Sequence, residues 1–241
     1  MKLLHSRILD LIYPRRCPIC QQIVLPKGAL VCGECYAELK LVEEPRCMKC
    51  GKPIGQEERE YCYDCQKRQF HYEYGYGMWI YDKKMQHSIA AFKYKNKREY
   101  CDFYVSELVR HYKEKILRME VDVLVPVPIH TKKLRKRGYN QAALLAEGVG
   151  KQLGIPVESE LLLRTKNTLP QKALDDRERF RNLLEAFQIN NQLNFDYMDK
   201  KVLLIDDIYT TGSTIEVCTN VLLGAGVERV YYISLCIGKG Y

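Results

Sequence analysis

Val202-Leu203-Leu204-Ile205-Asp206-Asp207-Ile208-Tyr209-Thr210-Thr211-Gly212-Ser213-Thr214 is the stretch that decides the fold. Its four apolar residues, Val202 to Ile205, predict a buried strand. Two adjacent carboxylates follow at the strand's end, then a Thr/Gly/Ser loop, then a helix. In an open α/β sheet, ligands bind outside the carboxyl ends of the strands. A small-residue loop that opens a helix presents free backbone N–H groups and a positive dipole end to a phosphate. The stretch therefore offers a phosphate cradle beside two carboxylates, which suits a phosphorylated sugar.

Working outward, strands alternate with helices, and that order predicts a parallel sheet. Tyr72 to Tyr81 is aromatic and alternating, and predicts a strand. Lys84 to Lys93 and Cys101 to Leu117 predict helices. Val121 to Val125 predicts a buried strand, followed by a loop with Pro126, Pro128 and Gly138. Tyr139 to Leu153 is amphipathic, with Ala142, Leu145 and Val149 on one face and Gly154 as its stop. Ile155 to Val157 and Leu161 to Leu163 predict short strands. The polar run Asn167 to Arg181 predicts a long functional loop. A helix from about Thr214 to Leu223, stopped by Gly224 and Gly226, and a strand from Val230 to Leu235 complete the pattern.

Before Phe70 the texture is different. Eight of the eleven cysteines lie between positions 17 and 65, always as Cys-x-x-Cys. The pairs Cys17/Cys20, Cys32/Cys35, Cys47/Cys50 and Cys62/Cys65 each begin fifteen residues after the last. Such clustering speaks for metal rather than a disulfide framework, and for a reducing compartment. Two Cys-x-x-Cys turns complete a tetrahedron, and Zn²⁺ is the default for four thiolates, ahead of an iron–sulfur cluster. Two structural zinc ions are expected. Sequential pairing is favoured and interleaved pairing, 17/20 with 47/50, is the alternative. The region has little apolar material for a core, and zinc on peptides of this size contributes about 10–16 kcal/mol. Cys101, Cys218 and Cys236 stand alone in apolar contexts and are expected in the core. These features divide the chain into a cysteine-rich module over 1–69 and an α/β domain over 70–241.

The chain of 241 residues carries a formal charge of +8, which permits an anionic partner without naming one. Met1 to Tyr13 sets Leu4, Ile8, Leu11 and Ile12 on one face of a short helix, but Arg7 and Asp10 interrupt it, so it lacks a signal-peptide apolar core. No segment approaches the length of a membrane span. A cytoplasmic location is expected.

The order of parts in 202–214 resembles the PRPP-binding motif of type I phosphoribosyltransferases. That resemblance implies their fold, a central parallel sheet flanked by helices. It also implies roles: Asp206 and Asp207 hold the ribose hydroxyls, and Thr210, Thr211, Gly212, Ser213 and Thr214 wrap the 5′-phosphate. The diphosphate then needs cations, and His130-Thr131-Lys132-Lys133-Leu134-Arg135-Lys136-Arg137-Gly138 supplies them, with Lys133, Arg135, Arg137 and Gly138 as the pyrophosphate loop. A solvated basic turn or a nucleic-acid patch is the plainer account of that run. Mg²⁺ is expected to bridge the diphosphate.

Further segments are similar to the ComF family. They are Leu11 to Cys20, Phe92-Lys93-Tyr94-Lys95, Val125-Pro126-Val127-Pro128, Arg137-Gly138-Tyr139-Asn140-Gln141-Ala142, Leu169 to Leu174 and Arg177 to Asn182. The resemblance covers nearly the whole chain, with the paired cysteines as a double zinc ribbon. It implies a link to natural competence, the uptake of single-stranded DNA for transformation, and a ComFA-like helicase as a partner. Two readings follow. In the first, the protein is an enzyme that transfers phosphoribose from PRPP to an acceptor, with Arg137, Asp206 and Asp207 catalytic and the 167–181 loop closing over the site. In the second, it is a non-catalytic scaffold that binds single-stranded DNA and a helicase. Basic residues at 93–98 and 132–137 suit the second reading, with Phe92, Tyr94 and Tyr100 either stacking on bases or filling the core.

Overall fold

A computed structural model describes residues 14–55, 59–166, 183–193 and 196–239. The expected N-terminal helix, the 167–181 loop and the family-like segments at 169–174 and 177–182 lie outside these residues. The elements, in chain order, are α1 (Gly33–Ala37), α2 (Tyr63–Lys67), β1 (Gly75–Ile80), α3 (Lys83–Tyr94), α4 (Tyr100–Arg118), β2 (Val123–Pro126), α5 (Thr131–Arg137), α6 (Gln141–Leu153), β3 (Leu162–Arg164), β4 (Phe187–Ile189), β5 (Lys201–Tyr209), α7 (Ser213–Gly224) and β6 (Arg229–Ile237).

The main sheet runs β1-β6-β5-β2 with every pair parallel. This is the parallel-sheet α/β fold expected. Val157 makes only an isolated parallel bridge to Leu124 where a short strand was expected. From β2 the chain goes to Val157 on one side, whereas from β5 it goes to β6 on the other. The strand order thus reverses between β2 and β5, and in open α/β sheets such a switch point is where a ligand crevice lies, outside the carboxyl ends. Helices cover both faces. Leu203, Ile205, Tyr231 and Ile233 point to one core with Leu145, Ala146 and Val149 of α6. Val202, Leu204, Val230 and Tyr232 point to the other, with Ile215, Val217 and Leu222 of α7. The antiparallel β3–β4 hairpin borders the second core.

Two further features depart from the sequence reading. First, β5 does not end at Ile205 but continues to Tyr209, because β6 pairs with it as far as Ile237. Asp206 and Asp207 therefore lie inside the strand. Second, the basic run 131–137 is a helix, not a loop. No breaker interrupts it, the His130 side chain caps it by accepting from the Lys132 N–H, and Gly138 ends it at φ +81°.

The cysteine-rich module docks along the outer edge of β1. The Val42 N–H donates to the Met78 carbonyl, the Ile80 N–H to Lys40, and the Gly75 N–H to Lys49. Inside this junction lies a tyrosine stack. The ring centres of Tyr209 and Tyr232 are 4.7 Å apart and their planes are nearly parallel. Tyr232 donates to the Cys50 carbonyl at 2.5 Å, and the Tyr72 and Tyr209 hydroxyls are 2.8 Å apart. Gly75 lies flat against this stack, and a Cβ there would sit 2.1 Å from the Tyr232 ring. A Gly75→Ala variant is expected to lose about 1–3 kcal/mol in urea unfolding, as overpacked cores do. Gly33→Ala, whose Cβ meets nothing within 4 Å, should stay within about 0.5 kcal/mol of wild type in the same assay.

Candidate functional site

The sulfur atoms of Cys17, Cys20, Cys32 and Cys35 lie within 4.8 Å of one another, as do those of Cys47, Cys50, Cys62 and Cys65. Pairing is therefore sequential, and the interleaved arrangement is excluded. Four thiols at this spacing fit a tetrahedral zinc ion with no open coordination position. The knuckles turn at Gln21 (φ +63°) and Gly51 (φ +67°), equivalent places one residue past the second cysteine. Only the second needs glycine for space, because a Cβ there would meet the Gly75 carbonyl oxygen at 2.6 Å. Cys218 and Cys236 are buried in the core as expected, and Cys101 is half-buried.

The crevice between β2 and β5 gathers the other functional residues. Up to Ile205 the side chains of β5 alternate between the two cores. Asp206 continues that alternation on the face of α7, near Cys218 and Arg164. Asp207 faces α3, where Lys93 donates to its two oxygens at 2.8 and 2.7 Å. The Asp206 carboxylate turns back to accept from the Asp207 N–H at 2.8 Å. The adjacent carboxylates thus straddle the strand and have different partners. Burial, and then the charge of Asp207, push the Asp206 carboxyl up to about 7, against the pull of Lys93 and Arg164. Burial alone would lower the Lys93 pKa, but Asp207 outweighs it and the net shift is upward.

The loop that follows folds over the tyrosine stack. Thr210 and Thr211 are exposed, and Ser213 and Thr214 are half-buried. The Thr211 and Ser213 hydroxyls are 3.0 Å apart. Gly212 takes φ +81° and has no room for a side chain, since a Cβ would lie 2.4 Å from the Tyr209 hydroxyl. No side chain caps α7, so its first-turn N–H groups remain open to an anion. One turn in, the buried Glu216 accepts from the His71 N–H at 2.9 Å and pairs with the His71 ring, which ties α7 to the segment joining the two modules.

Opposite stands α5. His130 fixes its start, with Nδ1 accepting from Lys132 and Nε2 donating to the Thr165 carbonyl at 3.2 Å. Gly138 ends α5, and Asn140 caps α6 while donating to the Val127 carbonyl at 3.0 Å. Much of the Arg137–Ala142 segment is thus structural. Burial holds the Lys133 ammonium below the ordinary lysine value, followed by repulsion from Arg164, Arg137 and Lys93. Those four cations interact with one another electrostatically at the carboxyl end of the sheet, and Lys133, like Arg135, lies on the exposed face of α5. The sequence reading did not assign Lys93 or Arg164 to the site. Lys93 was legible in the Phe92-Lys93-Tyr94-Lys95 segment, but Arg164 had no signal, because its strand brings it in through an unforeseen pairing with β4. Of the three candidate base-stacking rings, Phe92 and Tyr100 are core residues, at 0% and 1% exposed. Tyr94 is 74% exposed, with the Arg137 guanidinium 5.1 Å from its ring centre.

Residues 8–66 match the family described as Double zinc ribbon domain. Over 220 residues the chain is 29% identical to Competence protein F of Haemophilus influenzae, covering 89% of this chain and 93% of that protein. It is 28% identical over 202 residues to Competence protein ComFC of Bacillus subtilis, covering 81% and 79%. Adenine phosphoribosyltransferase from Leishmania tarentolae aligns over 73% of this chain and 87% of that one, with 14% identity and a TM-score of 0.38. Among the described residues, no helix is long and apolar enough to cross a membrane.

Elemental analysis should find two zinc ions per chain, falling to one in Cys62→Ser. Chelation of the second ion should also disorder the Tyr232 contact to Cys50, read as a rise in tyrosine exposure by near-ultraviolet spectroscopy.

Proposed function

We propose that this chain, a relative of Competence protein F and ComFC that carries a double zinc ribbon, binds PRPP or a related phosphoribosyl ligand in the crevice between β2 and β5. The observation that carries the reading is the convergence of two carboxylates, an uncapped helix start and four cations at one sheet end. Asp206 and Asp207 accept hydrogen bonds from the ribose hydroxyls. Thr210, Thr211, Ser213, Thr214 and the α7 N–H groups take the 5′-phosphate. Lys133, Arg137 and Gly138 line the diphosphate end, and Arg135 serves only by long-range attraction. Oxygen donors and a diphosphate suit Mg²⁺, which binds through few protein ligands and would arrive with the substrate. In a transfer reaction these residues position the sugar and stabilise the leaving diphosphate. The end use is DNA uptake in natural transformation, in the cytoplasm.

One observation favours a second reading, in which the fold is a scaffold for single-stranded DNA and a ComFA-like helicase. Tyr94 presents an open ring backed by Arg137, beside exposed Lys95, Arg98 and Lys136. Aromatic platforms with adjacent cations bind single strands without sequence preference.

Calorimetric titration separates the two. Wild type should bind PRPP with Mg²⁺, and Asp207→Ala should weaken it by about tenfold or more, the scale of a lost charge-assisted contact. Single-stranded DNA affinity should be unchanged in Asp207→Ala and fall steeply with salt if the second surface is used. Absence of PRPP binding by wild type would end the phosphoribosyl reading.

The pH dependence has a definite sign. The groups facing Asp206 are Asp207 beside it, Lys93 of α3, Arg164 of β3 and Cys218 of α7. With its pKa raised to about 7, Asp206 holds a proton below that pH and is a full acceptor above it. PRPP affinity should therefore rise between about pH 6 and about pH 8, beyond the ligand's own titration, and Asp206→Asn should remove that excess.

A further inference from the structure

Lys93 holds both oxygens of Asp207, a pairing that a ribose diol on Asp207 would have to break. It lies in the last turn of α3, and its ammonium meets both oxygens of Asp207, with the two side chains 18% and 11% exposed. A shielded ion pair contributes little net stability compared with an apolar pair of the same volume, so packing alone does not explain a lysine there. The pair also occupies both oxygens with which Asp207 would accept from a ribose diol. The ammonium is also within electrostatic range of the cations of the proposed diphosphate end, since Arg137 and Lys133 each interact with it. Four flexible methylenes connect it to the helix, and a compact ammonium can turn between neighbouring anions without a fixed fork.

We propose that Lys93 exchanges partners on binding: it neutralises Asp207 while the site is empty and moves to the diphosphate oxygens, beside Arg137 and Lys133, when the ribose diol takes Asp207. This rests on the phosphoribosyl reading above. Lys93 is then a specificity residue that favours a sugar carrying a diphosphate over the same sugar with a 5′-phosphate only. The exchange keeps the ammonium paired with an anion throughout, and Asp207 trades its cation for two neutral hydroxyl donors. It also gives Lys93 opposite effects on the two ligands, because ribose 5-phosphate must displace the ammonium without offering it a diphosphate.

The test is calorimetric titration of the zinc-loaded wild type, Lys93→Met and Lys93→Arg with PRPP plus Mg²⁺ and, separately, with ribose 5-phosphate. Lys93→Met should bind PRPP about tenfold more weakly, yet bind ribose 5-phosphate as well as wild type or better. Lys93→Arg, whose planar fork grips a carboxylate in two-point fashion, should release Asp207 less readily and weaken ribose 5-phosphate by about threefold or more. Equal weakening of both ligands by Lys93→Met, or full recovery of both by Lys93→Arg, would mean that Lys93 only braces Asp207, and overturns the exchange while leaving the phosphoribosyl reading intact. Failure of wild type to bind either ligand overturns both. If Lys93→Met does not fold, as judged by zinc content and thermal midpoint, the arginine variant decides.

Discussion

A shared break in strand alternation governs the arrangement of this molecule. In a regular strand successive side chains point to opposite faces. In β1, Met78 and Trp79 both face the core under α3 and α4, and Leu235 and Cys236 of β6 do the same. In β5, on the other side of β6, Asp207 faces α3 through Lys93 and Ile208 packs on that same core. The hydrogen-bonded register passes over Met78, Asp207 and Leu235 and resumes without offset. Three neighbouring strands thus turn together at one level. Before the turn, even-numbered residues of β5 face α7, and after it the odd-numbered Tyr209 does. Regular alternation up to this level places Asp206 and Asp207 on opposite faces, and the break follows them, between Asp207 and Ile208. The loop at 210–212 depends on the break, because the turn drives Tyr209 to the face where Gly212 must close over it.

The same turn binds the two modules into one. Tyr209 and Ile237 emerge on the face where the second zinc site sits, and Tyr209 stacks on Tyr232, whose hydroxyl holds the Cys50 carbonyl. Lys52, one residue past the Gly51 knuckle, is buried, pairs with the partly exposed Asp64 at 2.7 Å and lies 5.9 Å from the Tyr209 ring centre. The knuckle can approach only because Gly51 and Gly75 both lack side chains. Thiolate-bound zinc at the second site therefore does more than fold its own ribbon. It fixes the backbone on which the tyrosine stack rests, and the stack in turn supports the loop at 210–212. The first site lies against α4, with Tyr36 donating to Glu107 at 2.9 Å, and braces the opposite core.

Much of this was legible in the sequence, and the parts that were not share a cause. The regular Cys-x-x-Cys spacing carried the two metal sites because each turn brings two sulfurs together locally. The apolar run 202–205 and its glycine-bearing loop carried the strand–loop–helix unit for the same reason. The extension of β5 to Tyr209 was hidden, since it depends on pairing with β6 rather than on any property of Asp206 or Asp207. The break in alternation was hidden because it is a property of three strands at once. Helix α5 was read as a loop because its seven residues are strongly basic, yet nothing in Thr131 to Arg137 opposes a helix and both its ends are capped. Arg164 was missed because its place depends on the β3–β4 pairing across a long separation.

The pairing of charges at the strand end has one further consequence. Two adjacent carboxylates at a sugar site are easily regarded as equivalent, but here they are in different electrostatic states. Asp207 is ion-paired, with Lys93 on both oxygens. Asp206 is desolvated, lies beside the charge of Asp207 and holds its proton up to about pH 7. A ligand whose hydroxyls engaged both would thus act on two different starting states: it would displace a cation from one and draw a proton from the other. Only the second changes the net charge of the pocket; the first redistributes charge that is already there. Releasing Lys93 adds a free cation to the basic end, while ionising Asp206 adds a negative charge at the sugar end. Under the proposed exchange, the contrast between the carboxylates and the basic end of the site therefore grows as a ligand enters.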